Sequence, residues 1–130
     1  MSIEKELNRL GLTLPTPAKP AGSYKPCIIV ENTAYISGQG PLLEDGTFAK
    51  GVVGNDLDLE TAQFHAQRCG LAILSALKAE IGDLNKVQQL IKITGFVNCT
   101  NDFEKQPLVI NGCSDLMKEV FGNKGVHARA

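Results

Sequence analysis

The first pattern along the chain is helical. In SIEKELNRLGL the apolar residues Ile3, Leu7 and Leu10 recur at spacings of four and three, which places them on one helix face. Gly11 follows at the position of a left-handed cap. We therefore predict a short amphipathic helix here. An extended course should follow through PTPAKPAGSYKP, where four prolines remove backbone donors.

Apolar runs and alternating residues predict the strands. CIIV and TAYISG flank the turn ENT, so we predict a β-hairpin over about residues 26 to 38. The turn signal Asp45-Gly46 precedes a further short strand predicted around residues 47 to 53. KVQQLIKITGFVN has the period of two that is typical of a strand. The residues predicted to share its one face are Val87, Gln89, Ile91, Ile93, Gly95 and Val97.

Two longer helices complete the pattern. From Asp58, a good N-cap residue, small and apolar side chains recur at alternating steps of four and three until Gly82. A second helix is predicted from Pro107 in its first turn to Phe121, with Gly122 after it. The order hairpin, helix, strand, helix indicates an α/β fold in which two helices pack on one face of a mixed β-sheet.

The size of this sheet can be compared with the helices it must cover. Two helices side by side span about 20 Å and strands lie about 4.8 Å apart, so the sheet needs roughly four or more strands. The pattern provides three clear strands and one short one. We therefore expect residues 1 to 130 to be a single domain that is incomplete at its C-terminal end, with a further strand after residue 130.

Composition narrows the function classes. The formal net charge is −1 and no run of five or more Lys or Arg occurs, so the sequence carries no electrostatic footprint for nucleic acid. Four scattered cysteines without a C-x-x-C pair are typical of reduced thiols in a cytoplasmic protein: Cys27, Cys69, Cys99 and Cys113. No signal-peptide pattern and no long apolar stretch is present, which predicts a soluble protein with no membrane partner.

Candidate chemistry is sparse. SGQGP, residues 37 to 41, contains G-x-G, but no helix start follows to supply aligned amides for a phosphate. A simple turn and a close backbone approach to a small ligand both remain open for these glycines. His65 and His127 have no other ligand at metal spacing, and no G-x-S-x-G motif marks a serine nucleophile. These observations disfavour a metal centre and a covalent hydrolase.

Three residues near the end of the chain have two readings each. Asn111 and Gly112 lie inside the second helix, where each costs up to ~1 kcal/mol relative to Ala. Close packing at Gly112 with Asn111 on the surface is one explanation, and an Asn111 amide directed to a pocket is the other. Arg129 is either solvated, as terminal arginines usually are, or holds a carboxylate through its planar fork of donors.

An ordered set of motifs resembles a known family. AGSYKP, YISGQGP, GDLNKVQQLIKITGFVN, DFEKQPLVINGCSDLMKEVFG and GVHARA together resemble the RidA/YjgF family of reactive intermediate deaminases, also labelled L-PSP endoribonucleases. The forms NG-S-L-F-G and G-H-A-R resemble a branch distinct from the best-known deaminases. The resemblance implies a chorismate-mutase-like fold and a homotrimer with small-molecule clefts between subunits. It also implies hydrolysis of 2-imino acids to 2-keto acids and ammonia without metal or cofactor.

The resemblance also implies site residues. Arg129 corresponds to the catalytic arginine that grips the substrate carboxylate, and Asn111 to the helix amide that faces the pocket. Tyr24 corresponds to the aromatic wall of the cleft, and Ser37 and Gly38 to contacts at the strand end. In the family a later strand bears a glutamate that positions water, and no such strand occurs within these residues.

Two alternatives to the deaminase reading remain at this stage. One is a non-catalytic protein that binds or senses a small carboxylate or keto acid. The other is a ribonuclease or translation inhibitor, suggested by the family's label alone. The near-neutral charge and the few aromatic residues argue against this last reading.

Overall fold

The computed structural model describes residues 2–130, which form three α-helices and two small β-sheets. The first helix, α1, spans Ile3–Arg9 and begins at Ser2, whose hydroxyl accepts a hydrogen bond from the Lys5 N–H over 3.1 Å. Gly11 follows with φ 71°, the left-handed conformation predicted for it. The buried face of α1 carries Ile3 and Leu7. The predicted lead-in helix is confirmed.

The predicted hairpin is also present. Strand β1, Cys27–Val30, pairs antiparallel with β2, Thr33–Ile36, in a register that runs from Cys27 opposite Ile36 to Val30 opposite Thr33. The turn has two residues, and Glu31 takes the positive φ, 55°, that such a tight connection requires. Cys27 is buried, whereas several large apolar side chains of the hairpin are exposed: Ile28, Ile29, Val30 and Tyr35.

The two long helices follow the sequence closely. Helix α2 spans Leu59–Ile81, with Asp58 as its N-cap and Gly82 at its end. Helix α3 spans Gln106–Phe121, with Pro107 in its first turn and Gly122 after it. The two helices pack against each other around a shared core, whose fully buried side chains include Leu71, Leu74 and Met117.

The contact between α2 and α3 leaves no space for a side chain at Gly112. A Cβ atom at this position would overlap the backbone carbonyl of Gln63 on α2. At the next residue of α3, the Cys113 sulphur lies 3.1 Å from where a Cβ on Gly70 of α2 would be. Close packing therefore explains Gly112, and glycine is the only residue that permits this approach of the two backbones.

The strand predicted over KVQQLIKITGFVN is much shorter than its pattern. A 3₁₀ turn, Leu84–Lys86, occupies the start of the region, and only Lys92–Ile93 form a regular strand, β3. It pairs in parallel with β4, Ala128–Arg129, so that Ile93 lies opposite Arg129. Backbone hydrogen bonds to residues 124–130 continue on both sides of this ladder, from the Leu90 N–H to the Lys124 carbonyl and from the Gly95 N–H to the Ala130 carbonyl. The predicted common face does not hold throughout, because Gln89 and Ile91 are exposed, Ile91 at 65%. The other members of that face are half-buried: Val87, Ile93, Gly95 and Val97.

No regular strand forms over residues 47 to 53, so that prediction is wrong. The turn at Asp45-Gly46 is present, with the Thr47 N–H bonded to Asp45 Oδ1 over 2.9 Å. Beyond it only isolated bridges occur, joining Leu42 to Phe48 and Val53 to Leu57 and Cys99. Gly51 and Gly54 both have positive φ, which interrupts the extended backbone that a continuous ladder needs.

Two loop segments cover α2. The buried Arg68 is 5% exposed, and its Nε donates to the Leu42 carbonyl over 2.7 Å. The Ser75 hydroxyl donates to the carbonyl of Pro15, which ties the proline-rich segment to the same helix. The antiparallel hairpin and the parallel β3–β4 pair turn half-buried side chains, such as Ala34 and Ile93, toward the core. The α/β class with two helices against strands is confirmed.

Within residues 2–130 none of the helices is long and apolar enough to cross a membrane.

We predict that Gly112→Ala lowers the free energy of unfolding by about 1–3 kcal/mol, the cost of overpacking a tight contact. The loss should occur although Ala is the better helix former by ~1 kcal/mol, because a methyl group has no space against the Gln63 carbonyl. Urea unfolding followed by circular dichroism measures the change. Asp115→Ala, an exposed position of the same helix, is the matched control. An unchanged or increased stability of Gly112→Ala would contradict this packing.

We also predict a pH-dependent contribution from the α2 cap. The hydrogen bonds that Thr61 donates, first from its backbone N–H and then from its side chain, lower the pKa of Asp58. Because the folded-state pKa is depressed, this stabilisation is complete above the ordinary Asp pKa of about 4 and is lost as pH falls through the folded value. Wild type should therefore lose stability relative to Asp58→Asn in that window, since Asn caps without titrating. If the free energies of unfolding of wild type and Asp58→Asn differ by the same amount at every pH, this role of Asp58 is excluded.

Candidate functional site

Arg129 is the centre of the candidate site. Its Nη1 donates to Asn111 Oδ1 over 2.7 Å and to Ser114 Oγ over 3.2 Å. Its Nη2 donates to the carbonyl oxygen of Pro107 over 2.9 Å. The guanidinium of the half-buried Arg129 is thus held against α3 by three acceptors. The reading of Arg129 as a freely solvated terminal residue is wrong for this structure.

Local geometry explains why these acceptors converge. Pro107, Asn111 and Ser114 are separated by four and three residues, so they lie on one face of α3. The pairing of β4 with β3 places Arg129 opposite Ile93. This pairing holds the Arg129 backbone beside the α3 face that carries Pro107, Asn111 and Ser114. The Asn111 side chain therefore points to Arg129, and the surface reading of Asn111 is replaced by a polar contact.

The charge of Arg129 has no counterion in the part of the chain that the structure describes. The two ion pairs there join Arg9 to Glu6 and Lys78 to Glu4. The acceptors around Arg129 are an amide, a hydroxyl and a backbone carbonyl, which are all neutral. A half-buried cation with neutral partners has strong affinity for an incoming carboxylate.

The cysteine nearest to this charge is not a nucleophile. Burial raises the pKa of the Cys113 thiol to about 12, the neighbouring Cys69 adds to this rise, and the charge of Arg129 opposes it. Burial likewise raises the pKa of Cys69 to about 11. Both thiols are therefore protonated at neutral pH and lack the thiolate that attacks substrates.

His127 and Ser114 belong to the site although the sequence patterns did not indicate them. His127 Nε2 lies 2.9 Å from Ser114 Oγ, and its Nδ1 lies 2.6 Å from the Gly125 carbonyl oxygen. Two signals could have revealed them. His127 stands two residues before Arg129, on the same side of a strand, and Ser114 stands three residues after Asn111, on the same side of a helix.

Tyr24, Ser37 and Gly38 lie at the open end of the hairpin. The Ser37 hydroxyl donates to the Lys25 carbonyl over 2.6 Å, and the hydroxyl of the half-exposed Tyr24 accepts from the Ala21 N–H over 3.3 Å. Among residues 2–130 a Cβ on Gly38 would meet no atom within 4 Å, so no close contact within these residues demands the glycine.

The five predicted site residues therefore form two groups. Arg129 and Asn111 are in direct contact, and Tyr24, Ser37 and Gly38 are neighbours on the hairpin. Within residues 2–130 no hydrogen bond connects one group to the other. A concave region of about 640 Å³ lies elsewhere, between α1, the Leu84–Lys86 turn and the end of α3, and none of the five lines it. No three His, Cys, Asp or Glu side chains converge as metal ligands from Ser2 onward.

Comparison with known proteins places this arrangement in a family. Residues 4–130 match the family model described as "YjgF/chorismate mutase-like, putative endoribonuclease". Protein TCP17 of Trypanosoma cruzi is 37% identical over 128 residues, which cover 98% of this chain and 80% of that protein.

Two crystal structures share the fold. Atu1372 from Agrobacterium tumefaciens, a protein with unknown function, is 44% identical with a TM-score of 0.89, over 99% of this chain and 78% of that one. A "putative endoribonuclease" from Shewanella oneidensis MR-1 is 31% identical with a TM-score of 0.96, over 99% of this chain and 85% of that one. The match spans nearly every residue, from α1 to Arg129 and its contacts on α3, and the chain therefore belongs to the YjgF/chorismate-mutase-like family.

Proposed function

We propose that this protein is an enamine/imine deaminase that hydrolyses reactive 2-imino acids to 2-keto acids and ammonia. The observation that carries the proposal is the guanidinium of Arg129, which neutral acceptors hold on α3 and no carboxylate within residues 2–130 neutralises. A small substrate that carries its own carboxylate supplies the missing counterion. The chain belongs to the YjgF/chorismate-mutase-like family, and the deaminase activity is what the motif resemblance to that family implies.

The donor count of Arg129 favours a bidentate contact. A guanidinium has five N–H groups, and its three hydrogen bonds to α3 use those of Nη1 and one of Nη2. The Nε–H and the second Nη2–H are not used by any residue from 2 to 130. Two N–H groups suffice to bind both oxygens of a carboxylate and so orient the carbon next to it.

The chemistry then needs only water. With the carboxylate held, a water molecule attacks C2 of the protonated imine, and the electron pair of the C=N bond moves to nitrogen. The resulting carbinolamine loses ammonia as its hydroxyl oxygen forms the C=O bond of the keto acid, and a proton moves from oxygen to nitrogen. Nothing is oxidised or reduced, so the proposed reaction requires no metal and no cofactor.

We propose that the complete cleft forms between subunits of a homotrimer. Tyr24, Ser37 and Gly38 of one subunit would then face Arg129 and Asn111 of another, which unites the two groups that lie apart in one chain. Exposed apolar side chains of the hairpin support an interface there. Phe96, which is 92% exposed, is a further candidate for burial by a neighbour. The four free cysteines among residues 2–130 favour a cytoplasmic location.

A second candidate is a binding protein without turnover. Among residues 2–130 no Asp or Glu forms a hydrogen bond or ion pair with Arg129, so a carboxylate that could act as general base is not part of this cluster. The same arginine would then bind a keto acid as a sensed ligand. The experiments below separate binding from hydrolysis.

We predict that Arg129→Ala lowers kcat/KM for imine hydrolysis by about 100-fold, because truncation of one partner of a desolvated charge pair costs 2–5 kcal/mol. Arg129→Lys should retain part of the activity, since it keeps the charge but loses the planar fork. The assay generates 2-imino acids with an amino-acid oxidase and follows their loss by trapping. Arg9→Ala, an exposed arginine paired with Glu6, is the matched control.

The outcomes of this assay discriminate between the candidates. No acceleration by wild type over buffer would contradict the deaminase. If wild type binds 2-oxobutanoate in calorimetry without such acceleration, the binding protein is favoured. Cleavage of RNA with steep salt dependence would instead support a ribonuclease.

We also predict that Tyr24→Glu and Arg129→Ala each have strongly reduced activity alone and regain activity when they are co-expressed. Tyr24→Glu places a repelling carboxylate beside the anionic substrate. A mixed trimer contains some clefts in which both sides are wild type. Native mass spectrometry measures the subunit count, which is expected to be three. Failure of the mixed assembly to regain activity would exclude a shared cleft.

A further inference from the structure

A chain of hydrogen bonds continues behind Arg129. Arg129 Nη1 lies 3.2 Å from Ser114 Oγ, which lies 2.9 Å from His127 Nε2. His127 Nδ1 lies 2.6 Å from the carbonyl oxygen of Gly125. Both ends of the chain are chemically fixed, since a guanidinium only donates and a carbonyl only accepts.

These fixed ends determine the direction of every hydrogen bond. The Gly125 carbonyl requires a hydrogen on His127 Nδ1, so in the neutral ring Nε2 is an acceptor. The Ser114 hydroxyl must therefore donate to Nε2. Its oxygen lone pairs are then directed to the N–H of Arg129, and each donor has an acceptor in one order only: Arg129, Ser114, His127, Gly125.

The chain is anchored in packed parts of the protein. Ser114 is 7% exposed on α3, next to the core residue Cys113. Gly125 is buried in the second 3₁₀ turn, Gly122–Gly125, where a Cβ would overlap the Met117 carbonyl. The carbonyl that orients His127 is therefore held by backbone packing against α3. Motion of the imidazole would disturb either this turn or the Ser114 contact.

We propose that Ser114 and His127 are positioning residues, which set the guanidinium of Arg129 for a planar carboxylate ligand. His127 keeps the Ser114 hydroxyl turned away from Arg129, so that Nη1 always meets a lone pair. The plane of the guanidinium is thereby fixed, and so is the direction in which its unused N–H groups, on Nε and Nη2, point. The link to carboxylate binding rests on the proposed function, whereas the order of the hydrogen bonds rests on the geometry alone.

The test compares two replacements of His127. His127→Gln keeps a side-chain acceptor for the Ser114 hydroxyl, and His127→Leu removes it at similar volume. The probes are 2-oxobutanoate and its uncharged methyl ester, titrated by calorimetry into the full-length chain. We expect His127→Leu and Ser114→Ala to weaken 2-oxobutanoate binding by about tenfold, the effect of one hydrogen bond to a charged group. His127→Gln should restore most of it, and ester binding should change in none of the variants.

The control is His65→Leu, the same replacement made at the histidine on α2, which is not part of the hydrogen-bond chain. Equal weakening of acid and ester, or equal losses in His127→Gln and His127→Leu, would overturn the proposal in favour of a purely structural brace. The same variants are unfolded in urea, so that an affinity change can be separated from a loss of stability.

A second measurement does not depend on any ligand. Nitrogen-15 NMR of the two histidines, assigned with His65→Gln, should show that the neutral ring of His127 carries its hydrogen on Nδ1 and none on Nε2. The Nη signals of Arg129 should be resolved in wild type and His127→Gln, and averaged in His127→Leu. If wild type binds no 2-oxobutanoate but these signals are present, the proposed function fails and the positioning chain stands. A hydrogen on Nε2 of neutral His127, or Arg129 signals unaffected by His127→Leu, would overturn the chain itself.

Discussion

The close approach of α2 and α3 at Gly112 is the contact on which the rest of the structure depends. Because no side chain separates Gly112 from the Gln63 backbone, the two helix backbones come into direct contact there. The Gln63 side chain adds a hydrogen bond to the Leu108 carbonyl over 2.8 Å near the same contact. This geometry fixes the height and rotation of α3, and hence the position of every polar group that α3 presents to Arg129.

The site uses α3 as a rigid support for one charge. Arg129 comes from a two-residue strand at the edge of the structure, where a long side chain would otherwise sample many rotamers. Asn111, Ser114 and the Pro107 carbonyl restrict it without neutralising it. A carboxylate partner from the protein would fill the site, whereas neutral acceptors leave the charge available to a ligand. The thiols of Cys69 and Cys113, whose pKa values burial raises, stay protonated and add no negative charge that would compete with a ligand.

Local signals predicted the helices well. Helix α2 begins after Asp58 and ends at Gly82, as the capping chemistry of these residues requires. Gly11 and Gly122 take the positive φ angles that end α1 and α3. Strands were predicted less well, because a ladder needs a partner that the pattern of one segment does not specify. The β-branched run from Val87 to Val97 forms regular strand only at Lys92–Ile93, where residues 128–129 lie alongside. Exposure of Ile91 and Phe96 likewise depends on what packs against them.

The sequence by itself determined the α/β class, the helix limits and the family resemblance, and it singled out Arg129 and Asn111 as candidate site residues. These depend on interactions between near neighbours in the chain or on recognisable motifs. Only the tertiary structure decided that Asn111 contacts Arg129, that Ser114 and His127 stand behind it, and that Tyr24, Ser37 and Gly38 form a separate group. The reason is physical: hydrogen bonds between residues 13 to 18 positions apart form only after helix packing has brought α3 and β4 together.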